Sequence, residues 1–337
     1  MERRSRVRML DVARAAGVSH STASRALNGH PKVSATAQAA VADAARELGY
    51  VRDLRAADLA SSRATTIGLL IRAAERPFYG ALAAQLQTET EGRDVDLLTA
   101  SGGDDVPRQT RAVQTLLGHG VGGILIASGR ASAQAVEYAA SFVPTVTIGL
   151  GLVRPGVDAV HVAAESEIGL AEQVSRAGHT HVAVTASSNE LAHALHARTA
   201  NFLTSLVVSE VRTTIIASRT EDSRQLRDGL RAAIDAGATA VMAGEDMAAV
   251  RILEYLDEWG VRCPDEVSVT GFDGVGPYRS PLFGLTTVAQ PVEHLAKEAL
   301  DLMERRLRGD QTTIADIRLP GRLVHGRTLG QPPGART

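Results

Sequence analysis

The 337-residue chain has a single cysteine, Cys263. It can form no internal disulfide, and neither a secreted disulfide framework nor a cysteine-rich metal site is indicated. No stretch approaches the roughly 20 consecutive apolar residues of a membrane span. The start MERRSRVRML is basic but is not followed by an apolar core of signal-peptide length, so a cytoplasmic protein without a membrane partner is expected. Low-complexity segments and short repeats are missing too. So are a nucleophile elbow, a phosphate loop and a paired acid–base motif. The run GLGLVR at Gly149 lacks the third glycine of a dinucleotide fingerprint. His193 and His196 stand three apart with no third ligand at metal-binding spacing. The expectation is a protein that is not an enzyme and holds neither cofactor nor metal.

The residues that are present divide unevenly. With 44% hydrophobic and 22% charged residues the chain can bury ordinary globular cores, and its length calls for two or three folding units. The net charge of −2 conceals a split. Residues 1–63 hold eleven Lys and Arg against six Asp and Glu, a net +5; residues 64–337 hold 25 against 32, a net −7. A small basic head on a larger acidic body points to an anionic partner for the head, nucleic acid above all, unless Arg3, Arg4, Arg6 and Arg8 are only a solvated arm.

The stretch DVARAAGVSHSTASRALNGH, residues 11–30, favours the partner. Apolar residues at Val12, Ala13, Ala16, Val18, Ala23 and Ala26 fit two short helices, Met9 to Ala16 and His20 to about Asn28, with a tight turn at Gly17–Ser19. Gly17 supplies a positive φ, Ala13 lets the helices cross closely, and Ser19 is a candidate cap for the second helix. A third helix follows, capped by Ser34, with a stripe of Val41, Ala44, Ala45 and Leu48. His20, Ser21, Thr22 and Arg25 are the outward positions of the second helix, able to reach base edges or phosphates in a major groove. An ordinary helical hairpin with a polar face is the bland alternative.

Residues 51–66, VRDLRAADLASSRATT, read as a linker able to form one short helix from Asp53 to Ala60. From Thr66 the runs TIGLLI, VDLLT, GGILIA, TVTIG, HVAVTA, TTIIA, AVMAG and VSVTGF alternate with helix-length amphipathic runs. That alternation predicts parallel sheets covered by helices on both faces. About ten strands are too many for one compact sheet, so two similar lobes are expected.

DVARAAGVSHSTASRALNG and VSATAQAAVADAARELGY, followed in order by GVGGILIA, AGHTHVAV, AVMAGEDMAAVRIL, GVRCPDEVSVTGFD and LTTVAQPVEHLAKEAL, resemble the LacI-type (LacI/GalR) transcriptional regulators along nearly the whole chain. The resemblance implies an α/β protein: a small all-α helix-turn-helix head over 1–52, a hinge helix and linker over 53–65, and a doubly wound, two-lobed effector-binding and dimerisation domain over 66–330. That domain would be similar to periplasmic sugar-binding proteins, with lobe 1 over about 66–160 and 290–318 and lobe 2 over about 161–289 and 319–330. The tail 331–337 has no leucine heptads, so no tetramerising helix is expected.

Carried over by residue, the resemblance puts His20, Ser21 and Arg25 at base-reading positions and Ser19, Thr22 and Asn28 at phosphates. Ala56 and Leu59 match hinge positions that enter the minor groove, where Leu59 either wedges a base step or packs hinge on hinge. Arg198 in HARTANF and Asp273 in GFD match the family's ligand-contacting arginine and acid, unless they form a structural salt bridge. Phe78 or Tyr79 offers a ring to a ligand or packs in the lobe core. Arg8, Arg52 and Asp53 depart from a common threonine, proline and asparagine. Glu245 also departs, replacing a common asparagine; it faces either ligand donors or Arg198. The function implied is a repressor, binding a near-palindromic double-stranded operator as a homodimer under control of a sugar-like effector. The alternative is a solute-binding protein without a DNA role.

Overall fold

The computed structural model describes residues 7–27, 30–51, 66–93, 95–151, 154–219 and 224–334. The chain forms two units, Met1–Arg63 and Ala64–Thr337.

The first unit holds three helices, α1 (Met9–Ala15), α2 (His20–Leu27) and α3 (Ala35–Leu48). Gly17 takes φ +66° in the turn between α1 and α2, and the Val18 amide returns to the Ala13 carbonyl at 3.0 Å. Ser34 caps α3 by accepting a hydrogen bond from the Ala37 amide at 3.3 Å. Arg8, which stands at the N-cap of α1, makes no side-chain cap; its own amide donates to the Asp11 carboxylate at 2.9 Å. Val12, Ala13, Ala23, Val41 and Ala44 form the core. Leu48, expected in that stripe, is instead exposed at the last turn of α3, and Tyr50 packs on the core after the chain reverses at Gly49.

In the second unit the elements run β1 (Thr66–Ile71), α4 (Pro77–Glu91), β2 (Asp96–Ser101), α5 (Val106–Gly118), β3 (Gly123–Ala127), α6 (Ala133–Ala140), β4 (Thr145–Ile148) and β5 (Asp158–Val162). Then come α7 (Glu165–Arg176), β6 (His181–Ser187), α8 (His193–Val208), β7 (Arg212–Ser218), α9 (Arg224–Asp235), β8 (Ala240–Met242), α10 (Asp246–Glu258) and β9 (Ser268–Thr270). A 3₁₀ turn (Gly276–Arg279), β10 (Thr287–Ala289), α11 (Val292–Leu307), β11 (Asp316–Leu319) and β12 (Arg322–Val324) complete it.

Two all-parallel sheets result, one in the order β11-β5-β4-β3-β1-β2 and one in the order β7-β6-β8-β9; β10 and β12 form a separate antiparallel pair. Each large sheet is buried on both faces, which is why its inner strands read as continuous apolar runs. In β1, Ile67, Leu69 and Ile71 pack towards α4 and α11, while Leu70 faces the cluster of α5 and α6. In the second sheet, Val182 and Val184 meet Leu170 and Phe202 of α7 and α8; Ala183 faces Leu226 and Ile252 of α9 and α10. The chain crosses between the sheets after β5, between β9 and α11, and after β11. All eight quoted runs became strands. Four strands beyond them, β5, β10, β11 and β12, raise the number among the described residues to twelve.

One buried ion pair stitches the first sheet to α11. The Arg306 Nε and Nη2 atoms donate to the two Asp158 carboxylate oxygens at 2.7 and 2.8 Å, and the Ala315 amide donates to Asp158 Oδ1 at 2.8 Å. Asp158 is 1% exposed. Burial alone would raise its pKa, but Arg306 and the Ala315 amide hold the carboxyl below the ordinary aspartate value.

Candidate nucleic-acid interface and ligand cleft

Ser19 begins α2. Its Oγ accepts a hydrogen bond from the Thr22 amide at 3.1 Å and shares hydroxyl contacts with Ser21 and Thr22 at 2.9 and 2.8 Å. That cap fixes the first turn, from which His20 and Ser21 project; both are exposed, Arg25 is exposed a turn later, and Thr22 is half-buried. The opposite side of α2 is closed by Ala23 against the head core. The helix thus presents an imidazole, hydroxyls and a guanidinium on one face, a set of donors and acceptors suited to base edges and phosphates. Asn28, Ala56, Leu59 and the expected hinge helix lie outside the described residues.

In the second unit the loops that follow the parallel strands of both sheets converge on one cleft. Ligand sites of open parallel sheets lie outside such carboxyl ends, because the loops there are free to vary over a rigid scaffold. Arg72 follows β1, Gly129 and Arg130 follow β3, and Gly149 follows β4; from the other sheet come Glu245 after β8 and Asp273 after β9. Arg198 reaches in from α8. Phe78, Tyr79, Arg198, Glu245 and Asp273, the five sequence-derived candidates, all line this one cleft.

Their contacts differ from expectation. Phe78 and Tyr79 meet edge to face at 5.3 Å between ring centres and belong to the core of the first sheet while also lining the cleft. The Tyr79 hydroxyl oxygen accepts from the Gly129 amide at 3.1 Å. Arg198 and Asp273 form no ion pair. The Arg198 guanidinium lies 3.6 Å from the ring centre of Phe272, donates to the Gly244 carbonyl and meets Glu167 at 3.5 Å. Asp273 accepts from Gln290 Nε2 at 2.7 Å. Its backbone takes φ +133°, a conformation that side-chain-bearing residues rarely adopt. The Asp273 amide bonds Val288 at 3.0 Å and its carbonyl accepts from Gln290 at 2.9 Å, so the crossing strand pins the residue on both sides.

Glu245 does not pair with Arg198. Glu245 meets Arg76 at 2.8 Å and Arg72 at 3.4 Å, two guanidiniums contributed by the first sheet's side of the cleft. The reason is geometric: Gly244 already occupies Arg198 through its carbonyl, and the β1 and α4 termini lie opposite the N-terminus of α10. Burial would raise the Glu245 carboxyl, but Arg76, Arg72, Arg130 and Arg198 together hold it below the ordinary value. Asp273 shifts the other way, well up, because desolvation outweighs Arg198 while Asp246 and Glu245 oppose a further negative charge. Asp246 is pushed up to about 6, again by burial first, although its oxygens accept from Thr287 Oγ1 at 2.6 Å and the Gly274 amide at 2.7 Å.

Sequence reasoning missed Arg72, Arg76, Arg130 and Asp104. Asp104 accepts from Arg72 Nε at 2.5 Å and from Arg130 Nη1 at 3.3 Å. A signal was available: both Arg72 and Arg130 stand just past apolar strand runs, in TIGLLIR and GGILIASGR, the place where a parallel sheet presents functional side chains.

Residues 8–53 match the family described as bacterial regulatory proteins, lacI family, and residues 171–329 match the periplasmic binding protein-like domain. The chain thus carries a lacI-family helix-turn-helix domain and a periplasmic-binding-like domain. The chain is 27% identical over 330 residues to the HTH-type transcriptional regulator DegA of Bacillus subtilis, covering 93% of this chain and 95% of that protein. Its fold is similar to that of the Lac repressor dimer bound to operator and the anti-inducer ONPF, with a TM-score of 0.80 and 22% identity over 97% of this chain and all of the other. It is also similar to a transcriptional regulator CelR–cellobiose complex, with a TM-score of 0.69 and 24% identity over 96% and 100% of the two chains. Among the described residues, no helix is long and apolar enough to cross a membrane.

Proposed function

We propose that this protein is a cytoplasmic, ligand-responsive repressor that binds a near-palindromic operator as a homodimer. The observation that carries the reading is the capped helix α2, with His20, Ser21 and Arg25 exposed on one face, in the same chain as a cleft built from two sheets. His20, Ser21 and Arg25 read base edges; Ser19, Thr22 and Asn28 hold phosphates; Ala56 and Leu59 enter the minor groove at the hinge. A two-fold dimer places two such helices on two half-sites, which is why the operator is near-palindromic.

The effector is a sugar or sugar derivative held by Arg198, Asp273 and Glu245, with Phe78 and Tyr79 beneath it. The cellobiose complex among the similar structures supports that class. A ligand that binds one arrangement of the two lobes more tightly than another shifts the population and, by linkage, the operator affinity. A mobility-shift assay with the DNA upstream of the protein's own gene, at stated salt, tests the reading. The expected result is a retarded complex that resists random competitor DNA and changes with a sugar. Equal affinity for upstream and random DNA would overturn it.

A further inference from the structure

The proposed effector cleft contains a cation with incomplete coordination. Arg130, whose side chain is only 5% exposed, directs Nη1 to Asp104 at 3.3 Å, and its Nε is buried without a hydrogen-bond partner. Asp104 is a poor counterion for it alone, because both Asp104 oxygens also serve Arg72. A buried guanidinium donor left unpaired is costly, and guanidinium forks are matched best by a carboxylate or a phosphate. Burial and the neighbouring Arg72 both oppose the Arg130 charge, with Asp104 and Glu245 only partly offsetting them.

Glu245 occupies the adjoining seat. Its carboxylate comes from the second sheet's side and bonds Arg76 and Arg72 from the first, so an anion already bridges the cleft. Arg130 and Glu245 line both the main cleft and the recess beside it, where Ser187, Ser218 and Arg219 add further hydrogen-bonding groups. We propose that the effector carries an acidic group, a carboxylate or a phosphate on a sugar-sized body, which seats on Arg130 and Arg72 and displaces the Glu245 carboxylate from Arg72. Glu245 is then an internal stand-in for the effector's anion, and once displaced from Arg72 its carboxylate accepts hydrogen bonds from the sugar's hydroxyls. The neutral parts of the same ligand face Arg198 and the aromatic floor. This deepens the effector reading above and rests on it.

Inorganic phosphate is the probe that needs no knowledge of the effector. It is titrated calorimetrically into the full-length protein at constant ionic strength, with chloride as the balancing anion. Glu245→Gln removes the internal anion at constant shape, so this variant binds phosphate at least tenfold more tightly than the parent. Adding Arg130→Gln abolishes the gain, which separates the cleft from the basic head. An unchanged affinity in Glu245→Gln, or a gain that survives Arg130→Gln, would overturn the proposal. Arg130→Lys in the otherwise unaltered chain is the second route. It keeps the charge and loses the fork, and weakens a uronic acid or sugar phosphate by tenfold or more while leaving the thermal midpoint within a few degrees.

The source of the anion is distinguished in the mobility-shift assay with glucose, glucuronate and glucose 6-phosphate. Whichever acidic sugar changes operator binding identifies the group. Glucose acting as strongly as its acidic derivatives would overturn the anion assignment and leave effector control standing. An acidic sugar that binds calorimetrically without changing operator affinity would support the anion seat and overturn effector control.

Discussion

Asp158→Asn should be among the most destabilising isosteric changes in the second unit. The substitution keeps the shape of the side chain but replaces a carboxylate that accepts two bonds from Arg306 and one from the Ala315 amide. The new amide nitrogen would face a donor whichever way it turns. Breaking a buried ion pair from one side costs about 3–5 kcal/mol, because the remaining charge is left desolvated. Arg306 keeps the carbonyls of Asp310, Thr312 and Thr313, so the lower end, about 3 kcal/mol, is expected. Urea unfolding of both proteins at pH 7 gives the difference. The pH dependence follows from the direction of the shift: the folded-state pKa of Asp158 is depressed, so its contribution is complete above the unfolded value near 4 and is lost as pH falls through the folded value. The gap between the two proteins should therefore close as pH falls below about 4. A difference under about 1 kcal/mol at pH 7, or one that is the same at pH 3, would refute the account of this pair.

Arg25→Ala should cost about 1–3 kcal/mol of operator affinity and relax preference at one base pair in each half-site, measured by competition against single-base operator variants; equal loss on random DNA would reassign Arg25 to a phosphate. Asp246→Asn should change the pH profile in the opposite sense to Asp158→Asn, because the folded pKa of Asp246 is raised to about 6. As pH rises from about 4 to 6 the wild-type protein should lose roughly 2–3 kcal/mol that the variant retains, and superimposable stability profiles would contradict this. Gly17→Ala should destabilise the head by about 1–2 kcal/mol, since φ +66° is disfavoured for a side-chain-bearing residue even though the space beside it is open; hydrogen exchange of the α1–α3 amides reads it, and unchanged protection would count against backbone strain.

The head was legible because local rules agree there: Gly17 marks the turn, Ser19 and Ser34 cap their helices, and the apolar positions recur at helical spacing. Inner strands such as β3, GILIA, announced themselves as unbroken apolar runs. β5 and β11 did not, because DAVHV opens on an aspartate that serves a distant arginine, and DIRL is an edge strand whose polar residues face water. In the cleft, single residues could be carried over from the resemblance, but partners could not. Glu245 is paired by arginines 169 and 173 positions away in sequence, and no local pattern encodes that meeting. Arg198 likewise was legible as a cleft residue, while its seat over Phe272 depends on packing between α8 and the loop after β9.

The three crossings between sheets set the order in which the protein can be made. The head is continuous in sequence and can close as soon as residue 50 or so clears the ribosome. The first sheet cannot: five of its strands are complete by Val162, but β11, its outer strand beside β5, arrives only with Asp316–Leu319. β10 must likewise wait for β12 at Arg322–Val324. From Val162 until Asp316 is made, the nascent chain therefore carries an uncovered edge at β5, the kind of surface on which a neighbouring chain can add a strand. Asp158, charged and buried only once Arg306 and Ala315 arrive, stands at the start of that edge and disfavours such pairing until its own partners have been translated.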